Sequence, residues 1–159
     1  MWEGTELIEI DAPQDAVWEV ITDVARHADL AGSGEVKAIR MSGSLAAGTA
    51  WEADEVVKGM GAFEARSECT VLDPPREFVW KSFPPPVKKG NPDSVLDVTW
   101  AYRLTAQEGG TLLEHSFRVI EPKVGGLMVK AFYLLTRRAS TIRKGMRRTL
   151  QNVKAAAEG

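Results

Sequence analysis

Few residues of this chain can bind or transform a small molecule, and most of them lie on segments with a two-residue period. His115 alternates with Leu113, Phe117 and Val119, which predicts an imidazole facing inward from the last strand. An inward histidine can move a proton near neutral pH or orient a ligand carbonyl, but more often such a residue is a satisfied core or rim group. Around it the sequence sets rings on strand-like segments: Trp51, Phe63, Phe78, Trp80, Trp100, Tyr102 and Phe117. Trp100 and Tyr102 share a face with Val98 and Leu104, taken as inward. Small-molecule pockets are mostly apolar with a few placed polar groups, and such rings suit one, although a closed core would use the same pattern. Met128, Phe132 and Leu135, from the C-terminal helix, complete the expected lining.

The remaining reactive groups are expected to be quieter. Tyr102 and Tyr133 could supply hydroxyls, but spacing alone does not bring them together. His27 lies in a helical connection and is expected at the surface. Cys69 sits on the apolar side of its strand as a core thiol. Asp97 and Arg103 fall on the face opposite Trp100, a solvated sheet surface. There is no HExxH, no paired CxxC and no glycine-rich phosphate loop between a strand and a helix, so neither a metal nor a cofactor is expected.

These residues need a scaffold, and the periodicities describe one. IEIDAPQDAVWEVITD, residues 8–23, reads as a strand end running into an amphipathic helix. Asp11 and Gln14 are spaced as a capping pair there, and Pro13 is tolerated in the first turn. DVARHADLAGSG suggests a short second helix ending at its glycines. Strands follow at 35–41, 49–57, 63–72, 77–83, 95–104 and 111–120. Phe63, Ala65, Ser67, Cys69 and Val71 form the clearest alternation. FPPPVKKGNPD is a loop, because its prolines lack ladder donors. From about Val124 to Ala156 apolar residues recur at three-and-four spacing, predicting one helix of about 45 Å at 1.5 Å per residue. Gly125 and Gly126 at its head could serve as a hinge or simply delay the helix start.

The resulting order is β-α-α-β-β-β-β-β-β-α, an α+β chain of 159 residues read as one domain over 1–159. A curved antiparallel seven-stranded sheet wrapped around the long C-terminal helix need not close against it, and a cavity results where it does not. No apolar run approaches the roughly 20 residues of a membrane span. A single cysteine and an N-terminus without a secretory layout favour the cytoplasm. Residues 1–122 hold 11 Lys/Arg and 21 Asp/Glu, a balance of −10, whereas residues 123–159 hold 9 and 1, a balance of +8. A basic terminal helix can meet an anionic membrane surface or an acidic partner, or lie on its own acidic body. Nucleic acid is not expected, since the aromatics alternate into the sheet instead of lying among the arginines.

The element order, IEIDAPQDAVWEVITD, the Gly110-Thr111 pair that opens the last strand, DPPREFVW and the terminal helix resemble the START-like (SRPBCC) helix-grip superfamily. That superfamily includes birch-pollen-allergen-like proteins, and the likeness is strongest to the bacterial polyketide cyclase/dehydrase and lipid-transport families. It spans essentially the whole chain. Where such proteins often carry a tryptophan beside the cavity mouth, this chain has Leu30. The resemblance implies a pocket between sheet and helix for an apolar or aromatic molecule such as a lipid, a quinone or a polyketide-like compound. It leaves three readings: a binder or carrier, a cyclase, aromatase or dehydratase using His115, and an interaction module using the basic helix. A monomer or a homodimer fits each.

Overall fold

Alternating apolar and polar residues become seven antiparallel strands, and the two helical stretches become a small supporting helix and a long covering one. The computed structural model describes residues 1–159. In chain order, β1 (Trp2–Ile10) leads to α1 (Gln14–Thr22), a 3-10 turn (Val24–Arg26) and the single turn of α2 (His27–Leu30). The sheet continues with β2 (Val36–Arg40), β3 (Ala50–Val57), β4 (Gly61–Asp73), β5 (Glu77–Phe83), β6 (Asp97–Gln107) and β7 (Gly110–Ile120). The chain finishes with α3 (Gly126–Leu135) and α4 (Arg138–Glu158). The strand order β1-β7-β6-β5-β4-β3-β2 leaves β1 and β2 as edges of an open sheet. This is the expected α+β helix-grip.

Close approaches explain several short motifs. At the β7 start, a side chain on Gly110 would meet the Ile10 carbonyl oxygen at 2.2 Å, and the Thr111 hydroxyl donates to the Ala12 carbonyl at 2.8 Å. The Gly-Thr pair thus joins β7 to the β1–α1 junction. On β1, Gly4 lets α4 lie against the sheet, since a Cβ there would fall 2.7 Å from Phe117 and 3.1 Å from Arg143. Glu6 faces the same helix and accepts from Arg143 Nε at 2.8 Å and Arg147 Nε at 3.1 Å. Part of the basic face of α4 therefore rests on the chain's own acidic body.

Three expectations are corrected. The capping pair at 11 and 14 does not form: the Asp11 N–H donates to Glu158 Oε1 at 2.7 Å, while the Gln14 side chain leaves its helix to donate to the carbonyls of Pro75 and Leu104. The Pro13 carbonyl receives the first helical N–H groups instead. The alternation in β4 breaks at a bulge between Cys69 and Val71, which turns Val71 outward and leaves Cys69 in the core. Most consequential, the single terminal helix is two. Arg137 adopts a left-handed backbone (φ 51°), ending the apolar α3 and restarting the chain as α4. Such a conformation on a non-glycine residue costs about 1–2 kcal/mol. Its neighbour Arg138 makes a two-pronged ion pair with Glu35, at 2.5 and 2.8 Å, that holds the turn to the body. No helix is long and apolar enough to cross a membrane.

The core falls into two clusters. One gathers α1, α2 and the later half of α4 against Trp51, Phe78, Trp80, Tyr102 and Leu113. The other gathers Val98, Phe117 and Val119 with Val129, Tyr133, Ile142 and Met146 of α3 and α4. Space is left between them.

Candidate functional site

A cavity of about 530 Å³ lies between the concave sheet and α3/α4, bordered by both core clusters. That size falls within the range of small-molecule sites. Its lining residues Met60, Pro85 and Met128 are exposed, so the cavity reaches the surface between the β3–β4 turn, the proline loop and α3.

The sheet wall is a ladder of rings set by strand register. β5, β6 and β7 each turn two consecutive inward positions to the same two rows. Phe78 pairs across with Tyr102 and Tyr102 with His115; Trp80 pairs with Trp100 and Trp100 with Phe117. Directly opposed residues on adjacent strands bring side chains into contact, and the rings pack accordingly. Tyr102 and His115 stack at 4.3 Å between centroids and 17° between planes, Phe78 lies 4.8 Å from Trp80, and Trp80 lies 5.5 Å from Tyr102. Trp80, Trp100, Tyr102 and His115 border the cavity, as do Trp51 and Phe63 from β3 and β4. Met128 and Phe132 of α3 complete the opposite side.

Two of the residues expected to line the pocket lie elsewhere. Leu135 is 86% exposed, because the end of α3 turns it away from the sheet. Phe117 shares the inward face with His115, but it is buried behind Trp100 and against Gly4, within the second cluster. Asp97 and Arg103 lie on the outer face, where Asp97 pairs with Lys81 and Arg103 with Glu77 and Glu114. Cys69 is fully buried, and burial raises its thiol pKa, which disfavours the reactive thiolate.

Titratable groups enter the cavity at two places, beside hydroxyls such as those of Ser67 and Ser82, which pair with each other at 3.1 Å. At the ring ladder, His115 Nδ1 lies 3.0 Å from the Ala101 carbonyl. A carbonyl only accepts, so Nδ1 carries the proton and Nε2 keeps a lone pair. Burial, aided by His27, pushes the His115 pKa down to about 4, so the ring is neutral across the physiological range. His27 corrects an expectation: it lines the cavity beside Trp80, at 5.6 Å between centroids, instead of standing at the surface. Its Nε2 donates to the Ile21 carbonyl at 2.7 Å, leaving Nδ1 as the bare nitrogen, and burial lowers its pKa too. The spacing Val20, Val24, His27, Leu30 places His27 on the buried side of its helical stretch, a signal present in the sequence. Leu30 lines the cavity as well. The Tyr102 hydroxyl has no protein partner, and burial raises its pKa, so it stays a donor.

Glu35, Glu55 and Arg138 form the second polar place, together with Tyr133. Glu35 is held by Arg138, whereas Glu55 faces the cavity in line with Trp51, Ala53 and Val57 and has neither a hydrogen bond nor an ion pair. Burial first, and the Glu35 carboxylate second, push its pKa up to about 7, with Arg138 opposing. Strict alternation in β3 made Glu55 findable. The Glu35–Arg138 pair was not, because it depends on the break at Arg137. No three His, Cys, Asp or Glu side chains converge as metal ligands.

Chemically, the site offers a flat apolar wall, two bare imidazole nitrogens, a phenol donor and a carboxyl that can carry its proton near neutral pH. The sequence model of the family described as "Polyketide cyclase / dehydrase and lipid transport" matches residues 1–158. No curated protein sequence matches significantly. Among solved structures, the di-domain ARO/CYC StfQ from the steffimycin biosynthetic pathway superposes with a TM-score of 0.70 at 16% identity, covering 98% of this chain and 50% of that one. The di-domain ARO/CYC BexL from the BE-7585A pathway gives 0.67 at 18%, covering 99% and 50%. This chain thus spans about half the length of either di-domain protein. A polyketide-cyclase-like protein from Corynebacterium glutamicum gives 0.60 at 22%, covering 96% and 88%. At these identities the likeness is one of fold.

Proposed function

The chain belongs to the polyketide cyclase/dehydrase and lipid transport family, and from that premise we propose that it binds and carries one flat, largely apolar small molecule bearing hydroxyl or carbonyl groups. The cavity of about 530 Å³ walled by the Trp80–Trp100–Tyr102–His115 rings carries this reading. A quinone or a polyketide-like ring system matches it better than a simple acyl chain. Flat rings gain from offset stacking on tryptophan and tyrosine, and the bare nitrogens of His27 and His115 accept from a ligand hydroxyl. Tyr102 and the protonated form of Glu55 donate to a ligand carbonyl.

Native mass spectrometry of freshly purified protein, compared with the denatured chain mass, tests this directly. A discrete small-molecule adduct is expected, with occupancy reduced by Trp80→Ala and Trp100→Ala. Only the bare chain mass, together with no uptake of an added naphthoquinone, would overturn it.

A second reading has a specific observation behind it: His115 is neutral, with its tautomer fixed by the Ala101 carbonyl, and is stacked on a tyrosine. A neutral ring with a bare Nε2 is the protonation state from which a general base acts, and the lowered pKa makes it a weak base until a ligand or partner raises it. In a cyclase or dehydratase, Nε2 would remove a proton next to a ligand carbonyl while Tyr102 polarises that carbonyl. His115→Ala should then abolish turnover of an aromatic polyketide substrate without abolishing its binding. Unchanged turnover removes His115 from the role.

A further inference from the structure

α3 is apolar on both sides. Its inner side, Val129, Phe132 and Tyr133, closes the cavity. At 100° per residue, Leu127, Met128, Ala131, Leu134 and Leu135 form one continuous outer face. That face is open to water: Leu127 is 83%, Met128 58% and Leu134 65% exposed. Surface helices normally turn polar residues outward, and a contiguous exposed apolar patch marks an interaction site.

The charges around this face are mostly positive. Lys123 and Arg137 flank α3, and Lys130 stands on it. Lys58 comes from the β3–β4 turn, where a Cβ on Gly59 would lie 3.0 Å from Phe132. Lys88 and Lys89 come from the proline loop, whose Val87 lies 3.0 Å from where a Gly125 Cβ would be. None of these six cations makes an ion pair; of the α4 cations, Arg138, Arg143, Arg147 and Lys154 are paired, and Lys144 and Arg148 are not. Of the nearby acids, Glu121 is tied to the Met1 amine, and Asp93 remains exposed.

We propose that this end of the molecule docks on an anionic lipid bilayer, with α3 lying in the interface, its outer leucines inserted and the surrounding cations on the headgroups. An amphipathic surface element with apolar insertion and flanking Lys/Arg binds membranes in this way. A second copy of the chain fits the face poorly, because two-fold pairing would set these cations against themselves. The cavity reaches the surface beside the same helix, at Met60, Pro85 and Met128, so a docked molecule would present its opening to the bilayer. Loading from the membrane rests on the binding reading above; docking does not.

Flotation of the full chain with vesicles tests the surface. Vesicles of phosphatidylcholine with phosphatidylserine should retain the protein, pure phosphatidylcholine should retain far less, and added salt should release it. Leu134→Ser with Leu135→Ser should weaken binding about tenfold or more. Lys88→Gln, Lys89→Gln and Lys130→Gln together should weaken it roughly a hundredfold, at about fivefold per cation. Arg76→Gln, at the opposite end of the sheet, should leave it unchanged. All these positions are exposed, and unchanged thermal midpoints would confirm intact folding. Absent binding to phosphatidylserine vesicles overturns the proposal, as does equal binding by the double leucine variant. So does a dimer that the leucine substitutions dissolve while vesicles stay unbound. A chain that docks yet takes up no small molecule overturns the binding reading and leaves the docking surface standing.

Discussion

Replacing Glu55 with Gln should change how stability depends on pH, in one window. In the folded chain burial, followed by the Glu35 carboxylate, raises the Glu55 pKa from 4.5 to about 7. Between those values the folded state holds more protons than the unfolded one. The stability that Glu55 contributes is therefore fully present below pH 4.5 and is lost as pH rises through about 7. At 1.36 kcal/mol per unit the shift corresponds to about 3 kcal/mol, and to about 2 once solvent screening of a half-buried group is allowed for. Gln keeps the shape and cannot ionise. Urea unfolding of both proteins across this range should give equal stabilities near pH 4.5, with the Gln variant gaining until it leads by about 2 kcal/mol near pH 8. The buried histidines act with the opposite sign but are common to both proteins, so they cancel in the difference. A flat difference, or a wild-type chain that leads at alkaline pH, would refute the placement of an unpaired carboxyl in the cavity.

His115 should give the mirror result. Its folded pKa of about 4 lies below the ordinary 6.5, so its contribution is present above pH 6.5 and is lost as pH falls toward 4. His115→Phe should flatten acid destabilisation in that window by up to about 3 kcal/mol, measured by thermal unfolding at each pH. Gly32→Ala should destabilise the chain by about 2–3 kcal/mol in urea, since its Cβ would sit 2.2 Å from Arg148 Cβ and 2.6 Å from the Thr149 backbone nitrogen. Arg138→Met should cost about 2–3 kcal/mol by leaving Glu35 unpaired next to Glu55, and Glu35→Gln in the same chain should restore part of it.

Strand content was readable because every strand has one buried face, so alternation reports both existence and direction. The six later strands fall where expected to within a few residues, and the inward rings of β5, β6 and β7 follow from the same parity. What alternation could not supply was register. The two rows of rings arise from pairings such as Tyr102 with His115, which only the folded sheet defines. The bulge at Cys69–Val71 defeated parity locally and turned Val71 out. The break at Arg137 was invisible for a different reason. The apolar stripe continues through it, no glycine or proline marks it, and the Arg138–Glu35 ion pair that holds the turn to the body joins residues 103 positions apart. Expecting one unbroken helix placed Leu135 inside, whereas the break leaves the end of α3 facing solvent. His27 lies in a connection, which points to the surface, but its spacing from Val24 and Leu30 sets it on the buried side.

The most direct test of the account is a crystal structure of the chain as purified, inspected between the ring ladder and α3. Continuous density for a flat molecule should lie against Trp80 and Trp100, with polar atoms within hydrogen-bonding reach of His115 Nε2, Tyr102 or Glu55. A cavity collapsed onto the sheet by Met128 and Phe132, with the rings packed against them and no room for a ligand, would contradict it.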